Sequence, residues 1–387
     1  MSVIAPPTRP PKAISGSILV PAQHSARILD GVLMSLMVVR VGFPGIPVPV
    51  AQLGILALLV VCLFRPPKRS FTYAWWAPAA LTALLGFLII ETWLQGLDPF
   101  RRAGNLAIVF AMALFLASGR IDIGSAVKGL GAGLVINAAL FYAGLAPDDY
   151  QGRLTGFLQD KNASALVIAA GAFLTLLVVR TGWARLLVVA VGAAAVIATD
   201  SRTTMAASFV ALVWLASSHK LHRWLQLFTL AVGFAAFLWA DENLTTLGGY
   251  GESREGSDAF RERIDTASSL KTAATPWHGL GLGGATVDLD SGTWFFHNSY
   301  QSLMVEGGIV FVAVIVALFL FAGLGLAPAT IGVDVTSFES RVVTASTLVL
   351  FCCAMRLGEV FVTPIGCLVL GIGIARLLPA AGRGNAR

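Results

Sequence analysis

Charged side chains are scarce in this sequence of 387 residues. Asp, Glu, Lys and Arg together make up 12% of the chain, whereas hydrophobic residues make up 56%. Soluble domains carry about a quarter charged residues. Because so few charges leave too little polar surface to cover a particle in water, the composition argues against a soluble globular domain and predicts an integral membrane protein.

Cysteine is also rare, and its positions give no sign of a disulfide framework. Cys62, Cys352, Cys353 and Cys367 all fall inside apolar runs. Cysteine in such a run behaves as a small hydrophobic residue, so we expect neither disulfides nor a redox role. The formal net charge is +6, but the basic residues are scattered between apolar segments. That pattern is typical of membrane topology signals and lipid contacts, so we expect no nucleic-acid partner.

Apolar segments separated by polar turns predict a polytopic membrane domain over residues 27–378. Several are shorter than the roughly 20 residues of a full span. The expected fold class is an all-α integral membrane protein with about 12 transmembrane helices and one larger extracytoplasmic loop at about 241–296, containing short helices. The segments lie near residues 28–43, 47–64, 73–92, 103–118, 124–145, 162–179, 185–199, 203–217, 223–240, 297–327, 342–358 and 361–378.

Two polar tails flank this domain. Residues 1–26 are rich in proline and have little apolar periodicity, which predicts a flexible cytoplasmic tail, and residues 379–387 are predicted to form a second one. Short loops with clustered Lys and Arg, such as 65–69 and 180–185, are expected to be cytoplasmic. This orientation predicts that both ends of the chain are cytoplasmic and that the 241–296 loop lies outside.

Within that loop, one stretch has the periodicity of a helix. From Asp258 to Thr272, apolar residues recur at intervals that place them on one helical face. These residues are Phe260, Ile264, Ala267 and Leu270.

Several cations lie in the predicted outside segments, against the usual orientation bias. Long loops escape that bias, but Arg153 and Arg202 lie beside helix ends, where it should apply. Arg261, Arg263 and Lys161 are further cations on the same predicted side. Cations held there indicate an anionic ligand at the outer face.

Three outside patches resemble the O-antigen ligase family, which also contains polymerases of lipid-linked polysaccharides. They are GRLTGFLQDKNASA with Arg153, TDSRTTMAA with Arg202, and the stretch from FRERID to FHNSYQSLMVEGG. The most specific piece is His297-Asn298 followed, after nine intervening residues, by Gly308. Ile309 to Phe311 then depart from the small or polar residues of many ligases, which weakens a ligase against a polymerase.

The resemblance implies a metal-independent, inverting glycosyltransferase that needs no cofactor. Its donor would be an undecaprenyl-diphosphate-linked glycan, and the resemblance implies a location in the bacterial cytoplasmic (inner) membrane. Its acceptor would be lipid A–core for a ligase, or another lipid-linked repeat for a polymerase, and the sequence leaves both open. Negative charge grows on the leaving diphosphate, and arginine binds such oxygens bidentately.

The residue roles follow from this chemistry. We expect Arg153 and Arg202 to stabilise the leaving group and His297 to accept the proton of the acceptor hydroxyl. Glu306 is expected to face the bundle interior with a partner of its own. The remaining residues are assigned to substrate binding: Arg261, Arg263, Asn298, Lys161 and Gly308.

The alternative function is a carrier, either a lipid-linked oligosaccharide flippase or another polytopic transporter. Carriers show ionisable residues along a pathway and broken helices at mid-membrane. Here the polar candidates cluster at one face, which favours chemistry at an interface.

Overall fold

The computed structural model describes residues 27–42, 48–243, 255–289, 292–326 and 334–378. Both predicted tails, and residues 244–254 of the predicted outside loop, lie outside the described residues. The described part forms thirteen α-helices and one β-hairpin. The helices are α1 (Ile28–Ser35), α2 (Val50–Leu63), α3 (Trp76–Leu94), α4 (Phe100–Ala117), α5 (Ile123–Tyr142), α6 (Lys161–Thr175), α7 (Gly182–Ala198), α8 (Arg202–Ser217), α9 (Arg223–Asn243), α10 (Glu255–Ala274), α11 (Ser299–Leu318), α12 (Phe338–Cys353) and α13 (Pro364–Ala375), and the hairpin pairs β1 (Thr286–Leu289) with β2 (Gly292–Phe295).

Each predicted apolar segment contains one of these helices, and α10 is an additional helix in the predicted outside loop. Among the described residues, four helices are long and apolar enough to cross a membrane: α3, α4, α5, and α11 with its continuation to Gly323. Other apolar helices, such as α2 and α7, fall short of the roughly 20 residues of a full span. The fold is therefore mostly helical and that of a membrane-associated protein.

The outer surface of the bundle is apolar. Trp183 and Leu186 on α7, and Trp224 and Phe228 on α9, are all exposed. Exposed apolar surface on this scale is unfavourable in water and is typical of an interaction or membrane surface. In a bilayer these side chains would contact lipid chains.

Glycine sets the closest helix packing in the bundle. Gly129 and Gly133 are four residues apart on α5, on the face that meets α1. A Cβ at Gly129 would overlap the backbone of Gly31, and one at Gly133 would press on Ser35. Small residues at this spacing allow two membrane helices to approach backbone to backbone. The contact fixes α1, which leads to Arg40.

The helix predicted in the outside loop is present and longer than expected. Helix α10 has 20 residues, and it buries Ile264 with Phe260 and Ala267 packed nearby. Leu270, the fourth apolar residue of the predicted pattern, is 69% exposed and does not take part in this packing. The hairpin was not predicted, and it covers α10 through an edge-to-face contact between Phe260 and Trp294.

Helix α11 is interrupted at Gly307 and Gly308, whose backbone angles are non-helical. The segment before the hairpin lies against this break. Leu280 N–H donates to the carbonyl of Val305 at 2.7 Å, and Ile309 N–H donates to the carbonyl of Trp277 at 2.9 Å. Donors and acceptors freed by the break are thus bonded to another segment, which is how membrane helices tolerate a kink.

Candidate functional site

One end of the bundle contains a cavity of about 680 Å³. Its wall is formed by residues at the starts of α2, α4, α6 and α13 and by the segment just before α11. Helix α10 contributes Arg261. These helix ends meet on the same side of the bundle, because residues from all of them line one cavity. The wall is rich in charge: Arg40, Arg102, Arg261, Arg356, His297, Asp160 and Glu359.

Arg102 on α4 is the centre of an ion-pair network beside the cavity. Its Nη2 lies 3.1 Å from Glu306 Oε2 and 2.8 Å from Glu359 Oε1. Glu306 is buried, and its other oxygen accepts from Gly283 N–H at 3.1 Å. The expected interior position of Glu306 is confirmed, and Arg102 is its partner. A buried carboxylate that lost this arginine would cost about 3–5 kcal/mol of stability.

His297 is held by its backbone. Asn298 caps α11 by accepting from the backbone N–H groups of Tyr300 and Gln301. Ser299 N–H donates to the carbonyl of Ala354 at 2.8 Å. A Cβ at Gly358 would strike the carbonyl of Phe296, so only glycine allows this close approach. The chain after α12 therefore fixes His297 at the cavity wall.

The His297 ring faces α10 through one nitrogen. Its Nδ1 is buried and has no hydrogen-bond partner among the described residues. The Asp265 carboxylate lies 3.4 Å from Nδ1, and its other oxygen lies 3.8 Å from Arg356 Nη1. His297 and Arg356 thus share one carboxylate.

Arg40 and Arg261 approach the cavity from different walls. The Arg40 backbone N–H donates to the carbonyl of Phe157 at 2.9 Å, which holds the chain that follows α1 against the segment before α6. Within the described part of the chain, the Arg40 guanidinium forms no hydrogen bond or ion pair. Arg261 lies on α10 and lines the cavity. Cationic side chains on facing walls suit a ligand with more than one anionic oxygen.

Asp160 contributes a fixed carboxylate to the cavity. It caps α6 by accepting from Ala163 N–H at 2.7 Å, and its second oxygen accepts from the Tyr150 hydroxyl at 3.1 Å. Burial raises the pKa of the Tyr150 hydroxyl, and the nearby Asp160 charge raises that pKa further. Tyr150 therefore stays a proton donor to Asp160 at neutral pH.

Arg153 and Arg202 lie together at a second position on the same end of the bundle. Arg153 Nε lies 3.0 Å from Asp200 Oδ2, with both side chains about 40% exposed, and Arg202 begins α8 two residues later. Exposed pairs of this kind contribute about 0–1 kcal/mol. The described cavity wall does not include either arginine, so their catalytic role stays a prediction.

The four remaining predicted site residues lie within helices or at a helix cap. Gly308 has a φ of +63° and packs against the carbonyl of Trp277, and Asn298 is a helix cap. Lys161 is the first residue of α6, and Arg263 is exposed on α10. The structure thus brings His297 and Arg261 into one cavity, while these four lie outside its described wall.

Sequence reasoning missed several residues of the site: Arg40, Arg102, Asp265, Arg356 and Glu359. Four of them shared one available signal, which is charge inside or at the end of an apolar segment. Such charges are costly in a membrane and usually face a cavity or a partner. Asp265 gave no such signal, because it belongs to the polar loop.

Comparison with protein-family models, with curated proteins and with solved structures finds no match for this chain. In the described residues, no three His, Cys, Asp or Glu side chains form a group that could hold a metal ion.

Proposed function

We propose that this protein is a membrane glycosyltransferase of the O-antigen ligase type. It transfers a glycan from an undecaprenyl-diphosphate donor to an acceptor hydroxyl. The observation that supports this most directly is the cavity that collects His297 and four arginines at one end of an apolar helical bundle. Arginine is well suited to a diphosphate because its planar fork matches phosphate oxygens.

The proposed reaction has a simple balance of bonds. The acceptor oxygen attacks the anomeric carbon of the donor sugar, and its proton passes to His297. The bond between that carbon and the phosphate oxygen breaks, and the lipid diphosphate leaves with the electron pair. Arg261 and Arg356 lie at the wall near His297 and would stabilise the charge that grows on the leaving oxygens.

The membrane side and the acceptor belong to the same proposal. The charge pattern of the loops supports an extracytoplasmic site, and the proposed undecaprenyl-diphosphate donor implies a bacterial cytoplasmic (inner) membrane. The acceptor is either lipid A–core, as for a ligase, or another lipid-linked repeat, as for a polymerase.

A transfer assay tests the proposal. Purified protein is mixed with an undecaprenyl-diphosphate glycan and either lipid A–core or excess donor, with EDTA present. Transfer to lipid A–core would identify a ligase, and a ladder of longer lipid-linked chains would identify a polymerase. The absence of both products, with folded protein and intact donor, would refute the proposal.

Two arginines on α10 provide a matched pair for the same assay. Arg261 and Arg263 are two residues apart and so point to different sides of the helix, and only Arg261 is at the described cavity wall. We expect Arg261→Gln to lower kcat about 100-fold and Arg263→Gln to change it little. Equal effects of the two substitutions would contradict the role of Arg261.

One observation favours a carrier as a second candidate. Helix α11 is broken at Gly307 and Gly308, next to the buried Glu306–Arg102 pair. Broken helices with ionisable residues at the break are typical of transporters. Labelled lipid-linked glycan that crosses the bilayer of proteoliposomes, without any transfer product, would support the carrier over the transferase.

A further inference from the structure

Asp265 lies beside the buried nitrogen of the His297 ring, where it can determine which ring nitrogen carries the proton. The His297 side chain is 32% exposed, yet its Nδ1 is fully buried. The exposed area therefore belongs to other atoms of the side chain, and Nε2 is the ring nitrogen that remains to contact a ligand. Nδ1 faces the Asp265 carboxylate at 3.4 Å.

The two nitrogens of a neutral imidazole have different roles, since one carries the proton and the other has the free lone pair. The group that contacts one nitrogen decides which form is present. A carboxylate accepts protons and does not donate them at neutral pH. Asp265 therefore favours the form with the proton on Nδ1, which leaves the lone pair on Nε2.

We propose that Asp265 is a positioning residue that holds the proton of neutral His297 on Nδ1 and so presents Nε2 to the acceptor hydroxyl. This inference rests on the proposed transfer reaction. Arg356 approaches the second oxygen of Asp265 at 3.8 Å and keeps the carboxylate turned between the two side chains. Catalytic hydrogen bonds are often long in the empty site and shorten when substrate binds, as this contact would.

Other charges are near but do not take this position. Arg261 and Arg356 are cations and cannot accept the Nδ1 proton. Glu359, which lines the same cavity, is paired with Arg102 at 2.8 Å. Asp265 is the carboxylate that the structure brings within 4 Å of His297 in the described residues.

The first test measures the ring itself. Histidine labelled with ¹⁵N in the rings is incorporated into the full-length protein in detergent or lipid, and His297→Gln identifies the His297 signals. We expect neutral His297 to carry its proton on Nδ1 in the wild type. A proton on Nε2 would overturn the proposal, and this reading requires no variant of Asp265.

The second test compares Asp265→Asn with Glu262→Gln. Glu262 is three residues earlier on α10 and is exposed, so it controls for loss of a negative charge from this helix. The amide of Asn can donate to Nδ1, which favours the Nε2–H form. We expect Asp265→Asn to shift His297 to that form and to lower kcat about tenfold or more, with little change in KM. Glu262→Gln should keep the wild-type ring form and the wild-type kcat.

The outcomes separate this proposal from the proposed function. If the wild type transfers glycan and Asp265→Asn keeps both its kcat and its Nδ1–H form, the positioning role is wrong and the transferase stands. If the wild type transfers no glycan, yet the ring form still depends on Asp265, the contact is real and the proposed transferase function is wrong. If Asp265→Asn lowers kcat without changing the ring form, Asp265 acts on the fold or the substrate, and the proposal also fails.

Discussion

Gly308 shows how a residue of a sequence motif can also have a role in the backbone. Its φ of +63° and ψ of −162° lie in a region that is essentially restricted to glycine. At the same point the carbonyl of Trp277 approaches so closely that it leaves no room for a Cβ. The segment bonded there leads to Gly283, which contacts Glu306 beside the cavity. Gly308 therefore supports the site through the backbone.

We expect Gly308→Ala to destabilise the fold. Backbone strain alone should cost about 1–3 kcal/mol, and the displaced Trp277 carbonyl should add to it. The measurement is the thermal unfolding midpoint in detergent. Gly86→Ala is the control, because nothing lies within 4 Å of a Cβ at that position in α3. Equal midpoints for the two variants would contradict the structural role.

At the residue level, the resemblance singled out His297 and Arg261, which line the cavity, and also Arg153 and Arg202, which lie outside its described wall. Residues of the site whose contacts are distant in the sequence were missed. Arg102 was missed because its partner Glu306 is 204 positions away. Asp265 was missed because the periodicity of α10 indicates which of its residues pack, such as Ile264, but not that Asp265 meets His297, 32 positions later in the chain.

At the level of elements, hydropathy located the helices well and their ends less well. Each apolar segment contains a helix because backbone groups in an apolar environment must bond within their own segment. The break in α11 was not predicted, since Gly307 and Gly308 lie inside one long segment whose overall hydropathy indicates a single continuous helix. The hairpin was missed because two strands of four residues carry little periodicity.

The α1–α5 contact offers a test at this scale. We expect Gly129→Val to push α1 away from α5, because the new side chain would meet the backbone of Gly31. Overpacking of this kind costs about 1–3 kcal/mol. Since α1 leads to Arg40 at the cavity wall, transfer activity should fall together with the unfolding midpoint.

The matched control for this contact is Gly104→Val. Gly104 lies in α4, with nothing within 4 Å of a Cβ, so the same added volume should be tolerated. If Gly129→Val unfolds at the wild-type temperature, the close approach of α1 and α5 does not contribute to the fold.

At the scale of the whole molecule, the two ends of the helical bundle carry different sets of charged residues. The cavity wall is made from one set of helix ends, with α10 and the hairpin beside it. The opposite ends carry a different set of basic residues, including Arg65, which pairs with Asp30 at 2.6 Å, and Arg185, which lies over the Phe338 ring. An alternating chain that crosses a bilayer places two such sets on opposite sides.

Cysteine labelling tests this arrangement and its direction. We expect Thr293→Cys in the hairpin to react with a membrane-impermeant maleimide in intact cells, and Thr181→Cys at the start of α7 to react only after lysis. Both positions are exposed, and the four native cysteines are buried, so the background should be low. Reaction of both sites in intact cells would contradict their separation by a membrane. The reverse pattern would place the cavity in the cytoplasm, where an extracytoplasmic transferase could not operate.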